Sequence, residues 1–151
     1  MSLSVAKKAA PTPHARRKKP SVCPEESQEQ RNLFEWWRLY SLHTPHLVMY
    51  HIPNGGKRDA VTGARLKGQG VVAGVPDIFL AASRQGFHGL YIELKRQKGG
   101  RVEKPQKDII ARLREAGYRV EVCKGWQAAR EVIENYLTGA LPQGKELCAN
   151  G

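Results

Sequence analysis

A chain of 151 residues suits one compact domain with short tails rather than two full domains, and 40% apolar residues can fill an ordinary core. The 25 Lys and Arg against 14 Asp and Glu leave a net charge of +11, which calls for a polyanionic partner. No apolar run approaches the ~18 residues of a spanning helix, the basic start lacks the apolar stretch of a secretory signal, and Cys23, Cys123 and Cys148 form no close pair, which argues against a disulfide framework or structural zinc and for a reducing, cytoplasmic setting.

Residues 1–24 read as a disordered basic arm. Lys7, Lys8, Arg16, Arg17, Lys18 and Lys19 meet no acidic residue there, in an Ala-, Pro- and Ser-rich stretch with little to bury. Such an arm either grasps a polyanion or is simply solvated. A folded unit is expected over residues 25–141, with a loose tail at 142–151.

Glu25 to Leu42 carries Leu33, Trp36, Trp37 and Tyr40 at helical spacing, with Pro24 at the helix start. The two tryptophans lie on that stripe, so core packing is favoured over base stacking. Leu47 to Ile52 is a strand, broken by Pro53-Asn54-Gly55-Gly56. A glycine-spaced basic loop follows, with Lys57, Arg58, Arg65 and Lys67 and one helical turn at Ala60 to Lys67. Asp77 to Ser83 and His88 to Lys95 are strands joined through Arg84-Gln85-Gly86, a gap short enough for a hairpin. Pro105 opens a helix whose stripe is Ile109, Ile110, Leu113 and Ala116, ended by Gly117. Tyr118, Val120 and Val122 alternate with polar residues as a half-buried strand, and Trp126 to Leu137 forms the last helix. The order helix-strand-strand-strand-helix-strand-helix predicts a small α/β sandwich with a mixed sheet flanked by helices.

Side chains alternate along a strand, so Glu93 and Lys95 share one face while Ile92 and Leu94 share the other. With the turn near Gln85 and Gly86, paired residue numbers sum to about 171, which sets Asp77 opposite Glu93 or Leu94. Two carboxylates brought that close repel unless a cation lies between them, and hard oxygen donors suit Mg²⁺ or Mn²⁺. Lys95 beside them can hold or deprotonate a water and offset charge on a phosphate. Taken alone, Glu93-Leu94-Lys95 would be an ordinary solvated strand face; with Asp77 at hairpin spacing in a basic chain it reads as a site.

Pro76-Asp77 followed by Glu93-x-Lys95 resembles the pattern of the PD-(D/E)xK nuclease superfamily. Ile52-Pro53-Asn54-Gly55-Gly56-Lys57-Arg58, Gly70, Gly74-Val75-Pro76-Asp77, Gly89-Leu90-Tyr91-Ile92-Glu93-Leu94-Lys95, Gln106, Ala116-Gly117-Tyr118-Arg119-Val120 and Gly125-Trp126 together are similar to the virus-type replication-repair nuclease (VRR-NUC) family, in its order, over roughly residues 25–138. The resemblance implies a restriction-endonuclease-like fold with Asp77, Glu93 and the Leu94 carbonyl on a metal ion, and Lys95 as the catalytic lysine. It implies an acid on the first helix, which Glu29 before Gln30 fits best, with Glu26 one turn earlier as the alternative. Gln106 is expected near the site, hydrogen-bonding lysine, water or phosphate. Lys57, Arg58, Arg65 and Lys67 are placed to grip phosphates, and Asn54 either joins them or only shapes its turn.

The activity so implied is Mg²⁺- or Mn²⁺-dependent endonucleolytic hydrolysis of DNA. The chain carries no helicase motif or appended DNA-reading module, so it resembles the stand-alone, Holliday-junction-resolvase-like form. That form acts on branched DNA as a homodimer, because two cuts need two sites about a two-fold axis. Two competing readings are a restriction-type nuclease that reads sequence and a DNA-binding protein without catalysis. Membrane association lacks an amphipathic basic helix.

Overall fold

The computed structural model describes residues 25–54 and 60–139. The expected arm and tail therefore lie outside the described residues, as do Lys57 and Arg58. In chain order the elements are α1 (Glu26–Tyr40) running into a 3₁₀ turn (Ser41–His43), β1 (Val48–His51), α2 (Ala60–Gly68), β2 (Ile78–Ala81), β3 (Leu90–Lys95), α3 (Lys104–Glu115), β4 (Arg119–Lys124) and α4 (Trp126–Thr138). The strands form one four-stranded sheet in the order β1-β2-β3-β4, antiparallel through β3 and parallel between β3 and β4, which α3 connects. This is the expected mixed sheet flanked by helices, with one element more: the basic loop holds a nine-residue helix instead of a single turn.

One sheet face carries the main core. Met49, Ile78, Leu80, Leu90, Ile92 and Leu94 pack with Leu33 and Trp37 of α1 and with Ala129, Ile133 and Tyr136 of α4. The aromatic stripe of α1 is spent inside the protein: Trp37 and Tyr40 stack at 5.6 Å, and Trp36 lies 5.6 Å beneath the Arg130 guanidinium of α4. The buried Tyr136 hydroxyl donates to the Ala82 carbonyl at 2.6 Å, tying α4 to the end of β2. On β4, Val120 and Cys123 are buried while Val122 is exposed, because helices cover both faces of this strand and simple alternation fails. Burial pushes the Cys123 thiol up to about 12, so it stays protonated and unreactive.

The β2–β3 hairpin turns at Gln85 and Gly86, both with positive φ, in the geometry that matches strand twist. Gln85 tolerates that conformation while its amide donates to the Asn135 and Tyr136 carbonyls of α4 at 2.9 and 2.8 Å. The turn pair Arg84↔Phe87 sums to 171, whereas the ladder Ile78↔Ile92, Phe79↔Tyr91 and Leu80↔Leu90 sums to 170. A tight bond from the Ala82 N–H to the Leu80 carbonyl, 3.0 Å, takes up the extra residue on the β2 side. One further step of this register brings Asp77 level with Glu93.

Candidate active site

Asp77 arrives at the sheet along a loop that has little freedom. Gly74 has φ +88°, and a Cβ there would lie 2.5 Å from the Pro105 carbonyl oxygen, so only glycine lets the loop lie against the start of α3. Pro76 is buried behind it. From the other side, the Asn54 side chain donates to the Val75 carbonyl at 3.2 Å. The Ile52 N–H and the His51 ring nitrogen Nδ1 both meet the Asp77 carbonyl, at 2.6 and 2.9 Å. Since a carbonyl only accepts, that His51 nitrogen carries the proton. Asn54 thus shapes the loop that delivers Asp77.

The Asp77 carboxylate accepts the Leu94 N–H through Oδ2 at 3.1 Å. The next residue, Lys95, turns its carbonyl to the other side, where the Gly125 N–H donates to it at 2.8 Å. Burial raises Asp77 above the usual aspartate range, although the Leu94 N–H and the Lys95 charge pull it back.

Glu93 is fully buried. Its Oε1 receives the Lys95 ammonium at 2.6 Å and the Gln106 amide at 2.5 Å. Gln106 is fixed in turn, because its Oε1 accepts the Glu103 N–H at the start of α3, 2.9 Å away. The partner of Gln106 is therefore the site carboxylate itself. Burial, offset by Lys95 and reinforced by Asp77, pushes Glu93 up to about 7. For Lys95, burial acts downward, but the hydrogen bond to Glu93 and the neighbouring carboxylates outweigh it and hold it above the ordinary lysine value.

The two acids of α1 part company. Glu29 is fully buried in line with Leu33 and Trp37, and its Oε2 accepts the Trp126 N–H at the start of α4, 2.9 Å away. Glu26 is half exposed and stands 3.9 Å from the Lys95 ammonium. The structure thus brings together Asp77, Glu93, Lys95, Gln106 and Glu26, while Glu29 gives Oε2 to the start of α4 and keeps Oε1 buried without a partner. Arg65 and Lys67 are exposed on α2, which packs closely on no other described helix or strand.

A second basic segment, missed by the sequence reading, lies beside the site. Arg96 and Arg101 line a concavity with Lys95, Glu25 and Glu26, within a stretch that also carries Lys98, Lys104 and Lys107. Its signal is plain in the sequence, since five basic residues follow Lys95 within one short loop and helix start.

Among the described residues no three carboxylate, histidine or cysteine side chains converge as a metal cage. For a cation the site offers the Asp77 and Glu93 carboxylates, with Glu93 Oε2 buried and lacking any partner. An unpaired oxygen of that kind is costly to bury, and a hard cation would satisfy it. The donor set therefore fits a divalent ion that keeps most of its positions for water and phosphate.

The sequence model of the VRR-NUC domain matches residues 24–127. A solved structure described as a VRR_NUC domain protein is 27% identical, covers 77% of this chain and 90% of its own, and superposes with a TM-score of 0.64. No curated protein matches the chain in sequence. No described helix is long and apolar enough to cross a membrane.

Proposed function

This chain belongs to the VRR-NUC family, whose members are nucleases of the PD-(D/E)xK type, and on that premise we propose that it is an Mg²⁺- or Mn²⁺-dependent endonuclease that cuts branched DNA as a homodimer. The observation that carries the reading is the buried Glu93 carboxylate. One oxygen is held by Lys95 and Gln106 and the other is left without a partner beside Asp77.

Asp77, Glu93 and the Leu94 carbonyl would hold the ion. When bound, it supplies Lewis-acid polarisation of phosphate oxygens and a more acidic water at neutral pH. The chain's own groups do the rest. Lys95 holds the attacking water and offsets charge developing on the phosphate. Gln106 fixes the Glu93 carboxylate in one orientation, as His51, Ile52 and Asn54 fix the Asp77 loop. Glu26 is the acid of α1 that faces Lys95, and Glu29 braces the turn at Gly125-Trp126, whose first N–H is bonded to the Lys95 carbonyl. Water attack in line breaks the bond to the 3′ oxygen, leaving a 5′-phosphate and a 3′-hydroxyl. Arg65 and Lys67 on α2, Lys57 and Arg58 before it, and Arg96 and Arg101 beside Lys95 grip flanking phosphates.

The homodimer follows from chemistry, since two symmetric nicks need two sites. Trp36 and Trp37 are occupied within the fold, and among the exposed apolar side chains Leu39 and Leu42, 69% and 73% exposed at and just beyond the end of α1, offer surface for a partner copy. The deciding experiment is cleavage of labelled linear, flap, splayed-arm and four-way substrates with Mg²⁺, Mn²⁺ or EDTA, beside sedimentation of the free protein. Cutting that prefers branched DNA, requires the cation and comes from a dimer supports the proposal. Equal cutting of linear duplex by a monomer, or cutting in EDTA, overturns it.

A further inference from the structure

Tyr50 of β1, Phe79 of β2 and Tyr91 of β3 are consecutive cross-strand partners, so they form one row across the sheet. Their rings are in contact, with centroids 5.7 Å apart from Tyr50 to Phe79 and 4.4 Å from Phe79 to Tyr91. Tyr118, just before β4, closes the row at 5.3 Å from Tyr91. The Phe79 ring lies down over the neighbouring strand, where a Cβ on Gly89 would meet it at 2.7 Å. That explains the buried Gly89, but it leaves Tyr50 47% exposed and Tyr91 and Tyr118 half-buried. The row lies on the face opposite the main core, which α1 and α4 cover.

The row continues the active site. Phe79 lies two residues beyond Asp77 and Tyr91 two residues before Glu93, so each shares its carboxylate's sheet face at a separation of roughly 7 Å. β1 and β2 carry no acidic side chain to repel a polyanion. Aromatic faces in sequence beside a phosphate-binding site are what a strand of unpaired bases stacks on, whereas paired bases keep their faces inside the duplex.

We infer that the row Tyr50–Phe79–Tyr91 is a stacking platform for the unpaired bases of a nucleic acid strand whose phosphate lies at Asp77 and Glu93. The inference rests on the nuclease reading and sharpens it: the favoured substrate has a single-stranded flank next to the cut. Stacking carries no hydrogen-bond code, so the preference is for unpaired structure and not for a base sequence.

The test measures binding in EDTA, where cleavage plays no part, using a splayed-arm duplex with 2-aminopurine in its arm and a blunt duplex of equal length. Wild-type protein should quench the fluorophore and favour the splayed arm. Tyr50→Ala, at an exposed edge position that the fold does not need, should reduce that preference about tenfold, the scale of removing one stacked base. Tyr91→Ala should do the same, and Tyr50→Trp and Tyr91→Phe should keep it. An unchanged preference in both alanine variants overturns the inference, as does a change in sedimentation of Tyr50→Ala, which would assign the row to a second copy. A protein that shows the tyrosine-dependent preference yet cuts nothing with any cation would refute the nuclease reading and leave the platform standing.

Discussion

Lys95 at the end of β3 and Lys67 at the end of α2 are the same residue type in opposite surroundings. Lys95 is 8% exposed, bonded to Glu93 at 2.6 Å, and linked through it to Gln106 and the start of α3. Lys67 is exposed on a helix that packs closely on no other described element. A buried ion pair costs desolvation and is retained where position matters more than stability. An exposed lysine has no fixed position and follows any phosphate that comes near. On the proposed function the end of β3 serves chemistry and α2 serves grip, and substitutions in the two regions should fail in different ways.

The largest effect falls on the buried side. Asp77→Asn, Glu93→Gln and Lys95→Ala should each lower cleavage by about a thousandfold or more, the upper scale for losing one preorganised electrostatic group. DNA binding by the two carboxylate variants should hold or tighten, since a negative charge beside phosphate is gone. Initial rates with Mg²⁺ and a filter-binding curve in EDTA measure both. Cleavage of Glu93→Gln at near the wild-type rate would misplace the site.

Glu26 and Glu29 divide along the same line within one helix. Glu29→Ala removes the acceptor of the part-buried Trp126 N–H and should cost about 1–3 kcal/mol of stability, visible in thermal melts, while cleavage per folded molecule falls less. Glu26→Gln should leave the melting temperature unchanged and lower the rate. If Glu29→Gln, which keeps an acceptor for Trp126, lost orders of magnitude in rate with full stability, Glu29 would be the acid that completes the site.

Much of this is legible in the sequence because it follows from local rules. The hairpin gap, the strand alternation and the Pro-Asp and Glu-x-Lys spacing bring Asp77 to Glu93 from residue numbers alone, within the one residue that the tight bond at Ala82 absorbs. The burial of Glu29 is not legible, because nothing in the periodicity of α1 says that a carboxylate aligned with Leu33 and Trp37 is taken inside with them. Helix α2 reads only as a turn because it packs closely on nothing and so needs no apolar stripe to announce it. The Gln106–Glu93 bond joins residues on two elements, and no sequence period records such a meeting.

A smaller effect is expected from pH. The Glu93 carboxyl sits at about 7 in the fold against 4.5 ordinarily, and Asp77 shifts in the same direction. Between those values the folded protein binds more protons than the unfolded chain. The metal-free fold should therefore be favoured by these groups below about pH 4.5 and lose that contribution as pH rises through about 7. Melts in EDTA should decline across this interval, and Glu93→Gln should flatten the decline. Stabilisation by added Mg²⁺ should grow over the same interval, because a cation and a proton compete for one carboxylate.

The smallest effect belongs to α2. Arg65→Ala with Lys67→Ala should leave melting unchanged, since neither side chain packs into the core, and should leave the maximal cleavage rate intact. What changes is affinity, and only through counterions: each phosphate left without its cation should shallow the slope of log affinity against log salt by about 0.9 on duplex. The double variant should thus differ most from wild type at low salt and converge with it as salt rises. Lys95 cannot behave in this way, because its charge is held by Glu93 and screened little by solvent ions. A salt slope identical to wild type would show that α2 touches no phosphate. A fall in the maximal rate at saturating DNA would show that α2 belongs with the buried group and not with the grip.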